Sequence, residues 1–207
     1  MSEVRIYVEG GGDHADGKAR LREGFSGFLR ELVDLARRRR IRWSIIACGS
    51  RNDAFDDFQL ALQTHPNAFN VLLVDSEAPV QTGTGPWQHL LVRDRWQCPD
   101  GVEDEQCHLM VQTMEAWLVA DRAALARFYR QGFNAALLPR NQQVEQIDKD
   151  TLANVLARAT RQTTAGEYHK IRHGAWLIGQ LDPETVRAAA PFCERLFATL
   201  NRKLSEL

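Results

Sequence analysis

The stretch FNVLLVDSE, residues 69–77, constrains the fold more than any other part of the chain. It is an almost unbroken apolar run that ends in acids. A strand with one wet face alternates polar and apolar side chains, whereas a strand covered on both faces does not, and that second environment is the inside of a parallel sheet flanked by helices. The run therefore reads as the central strand of an α/β fold.

The neighbouring segments keep the same βα rhythm. EVRIYVE (3–9) is a short β-rich run that enters a glycine loop and then the helical pattern KARLREGFSGFLRELVDLARRRR, with Leu21, Phe25, Phe28, Leu29, Leu32 and Leu35 on one face. IRWSIIACG (41–49) is a second strand, and the next segment offers Ser50 as a helix N-cap and Phe55, Phe58 and Leu62 as an apolar stripe. APVQTGTGPWQ reads as loop, and CHLMVQTMEAWLVADRAALARFYR as a short strand passing into helix. Four or five strands are expected in all. From Gln131 onward the pattern is helical, with Asp182 capping and Pro183 at a first helical position. The expectation is an open, mainly parallel sheet flanked by helices over residues 1–130, with residues 131–207 a helical C-terminal extension packed on the same domain. At 207 residues and 44% hydrophobic content the chain can bury one good core.

Charge and composition remove several classes of function. Lysine and arginine number 26 against 27 acids, so no global basic field exists and any nucleic-acid contact must be local. No run approaches the roughly 18 apolar residues of a membrane span, and MSEVRIYVEG lacks the basic region and apolar stretch of a signal peptide. A cytoplasmic protein without a membrane partner is expected. Cys48, Cys98, Cys107 and Cys193 show no paired framework, which predicts free thiols in a reducing compartment.

The chemistry should lie where the strands end, because ligands of open parallel sheets bind at the carboxyl ends of strands. One strand ends in Glu9 and another in Asp75-Ser76-Glu77. In extended chain Asp75 and Glu77 face the same way, and two carboxylates so close repel unless a proton or a hard cation intervenes. Magnesium, which takes oxygen ligands and keeps waters, fits such a pair. A different reading starts from Gly12, where the spacing matches a phosphate loop through Gly17 and Lys18. Ala19 stands where that loop needs Ser or Thr, and Asp13 and Asp16 would repel phosphate. The glycines serve better as a tight turn that presents Glu9; the plainest alternative is a turn and nothing more.

The strand, Glu-Gly-rich turn and helix of YVEGGGD, followed by the acid-x-acid end of VLLVDSE, resemble the Toprim domain of topoisomerases, primases and OLD-type nucleases. Over most of its length, through LREGFSGFL, CHLMVQTMEAWLVADRAAL and YHKIRHGAWLI, the chain resembles a bacterial Toprim-like family often encoded beside an ABC-type ATPase, with a suspected part in phage defence. The resemblance implies Glu9 as general acid/base and Asp75 and Glu77 as ligands of Mg²⁺ or Mn²⁺, although Asp is usual where Glu77 stands. It also marks Glu115 and Asp121 as acids that could complete a second metal position; capping or ion pairing is the other reading of both. It implies a nuclease on nucleic acid, DNA rather than RNA, with an ABC-type ATPase as partner and a homo-oligomer as a further possibility. A non-catalytic adaptor of that ATPase is the alternative.

Other residues carry weaker signals. Lys170, Arg172 and His173 form a cationic group that could steady a scissile phosphate, or a solvated surface. His169 and His173 have zinc spacing but no evident third ligand, and Cys98, Cys107 and His108 lack the paired spacing of a zinc module. ARRRRIR (36–42) reads as charge at a helix C-terminus ahead of a DNA contact. Phe192, Leu196, Phe197 and Leu200 form a stripe suited to core packing or to docking a partner.

Overall fold

The computed structural model describes residues 2–207. Four strands, β1 (Glu3–Glu9), β2 (Arg42–Gly49), β3 (Phe69–Asp75) and β4 (Cys107–Met110), form one sheet in the order β2-β1-β3-β4, every pair parallel. The α/β class and the central place of residues 69–75 are as the apolar pattern predicts. Alternate side chains of the inner strands enter two different cores. Val4, Ile6, Val8, Val71 and Leu73 face the larger one, while Tyr7, Leu72 and Val74 face the smaller. Both faces are therefore dry, which is why β3 needs no polar alternation.

The larger core is closed by α1 (Ala15–Phe28), α2 (Arg30–Arg38), α5 (Met114–Ala120), α6 (Arg122–Tyr129) and the C-terminal helices α7 (Lys149–Thr160), α8 (Ala175–Ile178), α9 (Pro183–Ala189) and α10 (Pro191–Glu206). Phe28 sits 5.5 Å from both Trp117 and Phe197, ring centre to ring centre, so residues far apart in sequence share one core. Leu196, Phe197 and Leu200 are thus core residues, and Phe192 is partly buried against the smaller core; the stripe packs inward. The smaller core is closed by α3 (Arg51–Thr64) and α4 (Pro86–Asp94) through Phe55, Phe58, Trp87 and Leu90. Ser50 caps α3 as expected, in a reciprocal capping box with Asp53. Asp182 caps α9 ahead of Pro183.

Three segments differ from expectation. The helical pattern after the glycine turn is broken at Leu29, whose ψ of 19° leaves the helical range, although the apolar stripe runs through the break unchanged. Residues 86–94, within and beyond a stretch read as loop, form α4, with Gly85 at the cap and Pro86 in the first turn. Between α6 and Asp148, which caps α7, the stretch 131–147 expected to be helical holds only short 3₁₀ turns at Ala135–Leu137 and Val144–Gln146. Among the described residues no helix is long and apolar enough to cross a membrane, and all four cysteines are free.

One crossing positions the functional edge of the sheet. Residues Lys170–Gly174 make a π-helical turn that runs into α8, and α8 crosses α1 at backbone distance. A Cβ on Gly24 would lie 2.2 Å from the Ala175 carbonyl oxygen, so any larger residue at Gly24 would push the two helices apart.

Candidate metal centre

The chain leaves β1 through Gly10, Gly11 and Gly12, whose φ values of +118°, +90° and +64° are left-handed and would strain any other residue. This turn is bonded back to the end of β2, Gly10 and Gly49 exchanging backbone hydrogen bonds of 2.8 and 3.0 Å. Lys18 closes it, its Nζ donating to the Cys48 carbonyl at 2.8 Å. The lysine that mimics a phosphate loop is committed to a strand end, and the glycines present Glu9 at the sheet edge.

There Glu9, Asp75 and Glu77 converge: one carboxylate oxygen from each lies within 4.8 Å of the others. Asp75 is buried, with its side chain 1% exposed, and Glu9 and Glu77 are partly buried. The reason for convergence differs from simple alternation. The strand ends at Asp75, and Glu77 is left-handed at φ 61°, held by its N–H on the Gln112 carbonyl at 2.7 Å. A turned backbone brings Glu77 to the pair.

Each carboxylate already meets a cation. Lys170 Nζ donates to Asp75 Oδ2 at 2.7 Å, Lys149 Nζ to Glu77 Oε2 at 2.5 Å, and Arg51 to Glu9 Oε2 at 3.2 Å. Asp75 Oδ1 accepts the Met114 N–H at 2.8 Å, and the Asp75 N–H donates to Glu9 Oε2 at 3.2 Å. Arg51 also grips both oxygens of Asp94, at 3.0 and 2.7 Å, and bonds the Asp75 carbonyl. Five carboxylates (Glu9, Asp75, Glu77, Asp94, Glu115) thus face four cations (Arg51, Arg93, Lys149, Lys170). The titration of the groups follows from this crowding. Burial raises the Asp75 carboxyl to about 7, with Glu9 and Glu115 adding to the rise against the pull of Lys170. Burial also opposes the Glu77 charge, yet Lys149, Lys170 and Arg93 hold that carboxyl below the ordinary range. Burial works against the Lys170 ammonium too, and Asp75 and Glu115 overcome it, raising its pKa. Glu9, Asp75 and Lys170 border a cavity of about 180 Å³ walled by the glycine turn, Met110, Met114 and Ile171. A buried cluster of hard oxygen donors of this kind could hold a metal ion.

The family model of a domain of unknown function (DUF4276) matches residues 8–201, nearly the whole chain. The chain belongs to the DUF4276 family. No curated protein and no solved structure matches it. Every residue of the cluster lies inside the DUF4276 match, as do the other candidates, which the structure divides sharply.

Glu115 stands beside the cluster without joining the group of three: Tyr168 donates to its Oε1 at 2.9 Å, and Lys170 approaches Oε2 at 3.8 Å. Asp121 serves as a cap. Its Oδ1 accepts from the Ala124 N–H at 2.9 Å and its Oδ2 from the Asp182 N–H at 2.8 Å, so it ties α6 to the start of α9. His173 is buried and its Nδ1 accepts from the His169 N–H at 3.1 Å, with the Tyr129 hydroxyl at 3.2 Å. Burial, then Arg172 and His169, lower its pKa, and among the described residues neither it nor His169 belongs to a group of three possible metal ligands. Arg172 is exposed. Cys107 and His108 are buried in the structure's interior and Cys98 is exposed, and Arg37 and Arg38 lie in the last turn of α2, where they complement its dipole.

Arg51, Lys149, Asp94 and Tyr168 were not evident in the sequence. Arg51 could have been found, since it follows a helix cap at the end of a strand and so lies on the same sheet edge as Glu9. Lys149 carries no local signal, because its partner is 72 residues away.

Proposed function

We propose that the chain is a Mg²⁺- or Mn²⁺-dependent phosphodiesterase with a Toprim-like site, acting on nucleic acid. The observation that carries this reading is the convergence of Glu9, Asp75 and Glu77 at the carboxyl ends of the two central strands, within 4.8 Å. The donor set suits the ion: carboxylate oxygens with room for retained waters favour magnesium or manganese over softer metals. When bound, such an ion supplies Lewis acidity toward a phosphoryl oxygen and lowers the pKa of a coordinated water.

The residues divide the remaining work by their partners. Asp75 and Glu77 would hold the ion. Glu9 is anchored through Oε2 by Arg51 and the Asp75 N–H, and among the described residues its Oε1 accepts no hydrogen bond, which leaves that oxygen for moving a proton at the attacking water. Lys170, whose Nζ stands 2.7 Å from Asp75 Oδ2 beside the same oxygens, would offset the developing negative charge of the phosphate. The balanced overall charge offers little grip on a duplex, so an ABC-type ATPase partner, implied by the family resemblance, would bring substrate to the site.

A second reading, a non-catalytic adaptor of that ATPase, draws on one observation: every carboxylate of the cluster has a cationic partner without any metal. Incubation of plasmid, single-stranded DNA and RNA with the protein and Mg²⁺ or Mn²⁺, with and without an ABC-type ATPase encoded beside it, separates the two. Metal-dependent cleavage lost in Asp75→Asn is expected. Absence of cleavage under every condition, together with no metal binding by calorimetry, would leave the adaptor.

A further inference from the structure

A groove of about 590 Å³ opens on the outer side of the α1–α8 crossing, and Ala175 borders both this groove and the acidic cavity. Its most unusual member is Trp176, an indole left 51% exposed in a chain whose Trp87 and Trp117 are buried. The indole presents an aromatic plane, apolar over its face and polar at one edge, inside a concave place where a flat group can lie against it. Arg20 and Arg30 line the same groove and have no ion-pair partner among the described residues, while Arg37 meets only Asp34, at 3.4 Å on the surface. Glu23 and Asp34 also line it, so the cationic character is local and modest.

The floor explains how a flat group could enter. At the crossing, a Cβ on Gly27 would lie 3.2 Å from the Gly179 carbonyl oxygen and one on Gly179 would lie 3.1 Å from the Gly24 Cα, so the helices meet without side chains between them. Beside that low floor stand an aromatic plane and free guanidinium groups. Those are the elements by which proteins hold single strands: a π surface for an unpaired base and cations for the backbone. A duplex hides its base faces in the stack and would use neither the indole nor the shallow floor. Lys170 and Trp176 lie six positions apart along one helical segment, less than roughly 10 Å of rise, and Ala175 borders both cavities, so the groove and the acidic site are neighbours.

We propose that this groove binds single-stranded nucleic acid, with Trp176 stacking on a base and Arg20 and Arg30 tracking the phosphates beside the acidic site. In taking nucleic acid as the ligand the inference rests on the proposed function, but binding can be read without cleavage. The experiment is fluorescence anisotropy of short labelled oligothymidylate and oligouridylate, and of the matching duplex, with the full chain in EDTA. Wild type should prefer single strands, and Trp176→Ala should weaken binding roughly 10- to 100-fold, with Trp176→Phe retaining most of it. Arg20→Gln with Arg30→Gln should reduce the salt slope by about 0.7 for each arginine. Asp75→Asn should bind as well as wild type or better, since a negative charge is gone. Unchanged affinity in Trp176→Ala, duplex bound as tightly as single strands, or no oligonucleotide binding at all would overturn the assignment. Cleavage by wild type and Trp176→Ala at equal rates and affinities would sink the groove alone and leave the metal site. Trp176-dependent binding by a chain that never cleaves would uphold the groove and sink the nuclease.

Discussion

Two polar clusters are buried against the same sheet, and they are built by opposite rules. At the start of β4, Arg195 of α10 donates to the Cys107 carbonyl at 2.8 Å, to His108 Nδ1 at 3.0 Å and to the Asp104 carbonyl at 2.6 Å, while His108 Nε2 meets the Glu105 carbonyl at 3.1 Å. One cation is spread over neutral acceptors, and the imidazole, fully buried, is held neutral. At the other edge, carboxylates outnumber the cations that face them, and Asp75 is buried where its charge is costly. Hydrogen-bonded polar groups of the first kind fix the geometry of a core. An excess of one charge does little for stability and makes sense when a cation from outside completes it. The difference separates scaffold from site.

The comparison breaks most plainly under substitution. Asp75→Asn should reduce metal-dependent cleavage by more than about 100-fold, because it removes a proposed ligand and even supporting residues around metals cost 10- to 100-fold. The same change should leave the folded chain as stable as before or more so, since a buried carboxyl gives way to a neutral amide of equal size. Activity assays and thermal melts on one preparation check both halves. A collapsed fold would show Asp75 to be scaffold after all. Arg195→Leu should do the reverse: a loss of about 2–4 kcal/mol, from carbonyls and an imidazole left without a donor, and metal affinity within twofold of wild type. Urea unfolding and metal calorimetry measure the two quantities.

Acid titration sharpens the contrast, because the clusters respond with opposite sign. Asp75 titrates near 7 in the folded chain against an ordinary 3.8, so between those values the folded state binds more protons than the unfolded one. Its contribution is full below 3.8 and is lost as the pH rises toward 7. Burial and Arg195 push His108 down to about 3 from an ordinary 6.5, so its contribution is full above 6.5 and is lost as the pH falls toward 3. Each effect is of order a few kcal/mol at its full extent. Difference curves from urea unfolding across pH 4–8 (about that range suffices) should show Asp75→Asn removing a falling slope and His108→Gln removing a rising one. Mg²⁺ or Mn²⁺ should raise the melting temperature more at the alkaline end, where no proton competes for Asp75.

The two clusters also differ in how far they can be read from sequence. Glu9, Asp75 and Glu77 are legible because an acid at the end of an apolar run is a local feature, and topology carries such ends to one edge. The cations that answer them are not. Arg51, Lys149 and Lys170 reach their carboxylates across 42, 72 and 95 residues, and hydrophobic periodicity says nothing about partners so distant. Arg195 is hidden for the same reason, 88 residues from Cys107. The fold class follows from β3 alone, since dryness on both faces is written into its composition. Helix α4 is legible only through Pro86 in its first turn, a start signal that the surrounding glycines and threonines obscure. The break at Leu29 leaves only a faint trace, because Ser26-Gly27 just before it is the sole local signal and the apolar stripe stays in phase through it.

The smallest expected effect concerns the residue most easily mistaken for part of a site. Lys18 sits in a spacing that imitates a phosphate loop, but its ammonium donates to the Cys48 carbonyl, and the turn before it is bonded to Gly49. It belongs with Arg195: a cation satisfied by a backbone carbonyl, serving to hold a loop on a strand end. Lys18→Ala should therefore cost about 1–2 kcal/mol, the range for losing a charged donor to a carbonyl on a half-buried site. Calorimetry with ATP and Mg²⁺ should show no tight binding by wild type and none by the variant, since Ala19 offers no hydroxyl and Asp13 and Asp16 repel phosphate. Micromolar ATP affinity that vanishes in Lys18→Ala would move this residue to the other side of the comparison, and would make the glycine turn a nucleotide cradle instead of a pedestal for Glu9.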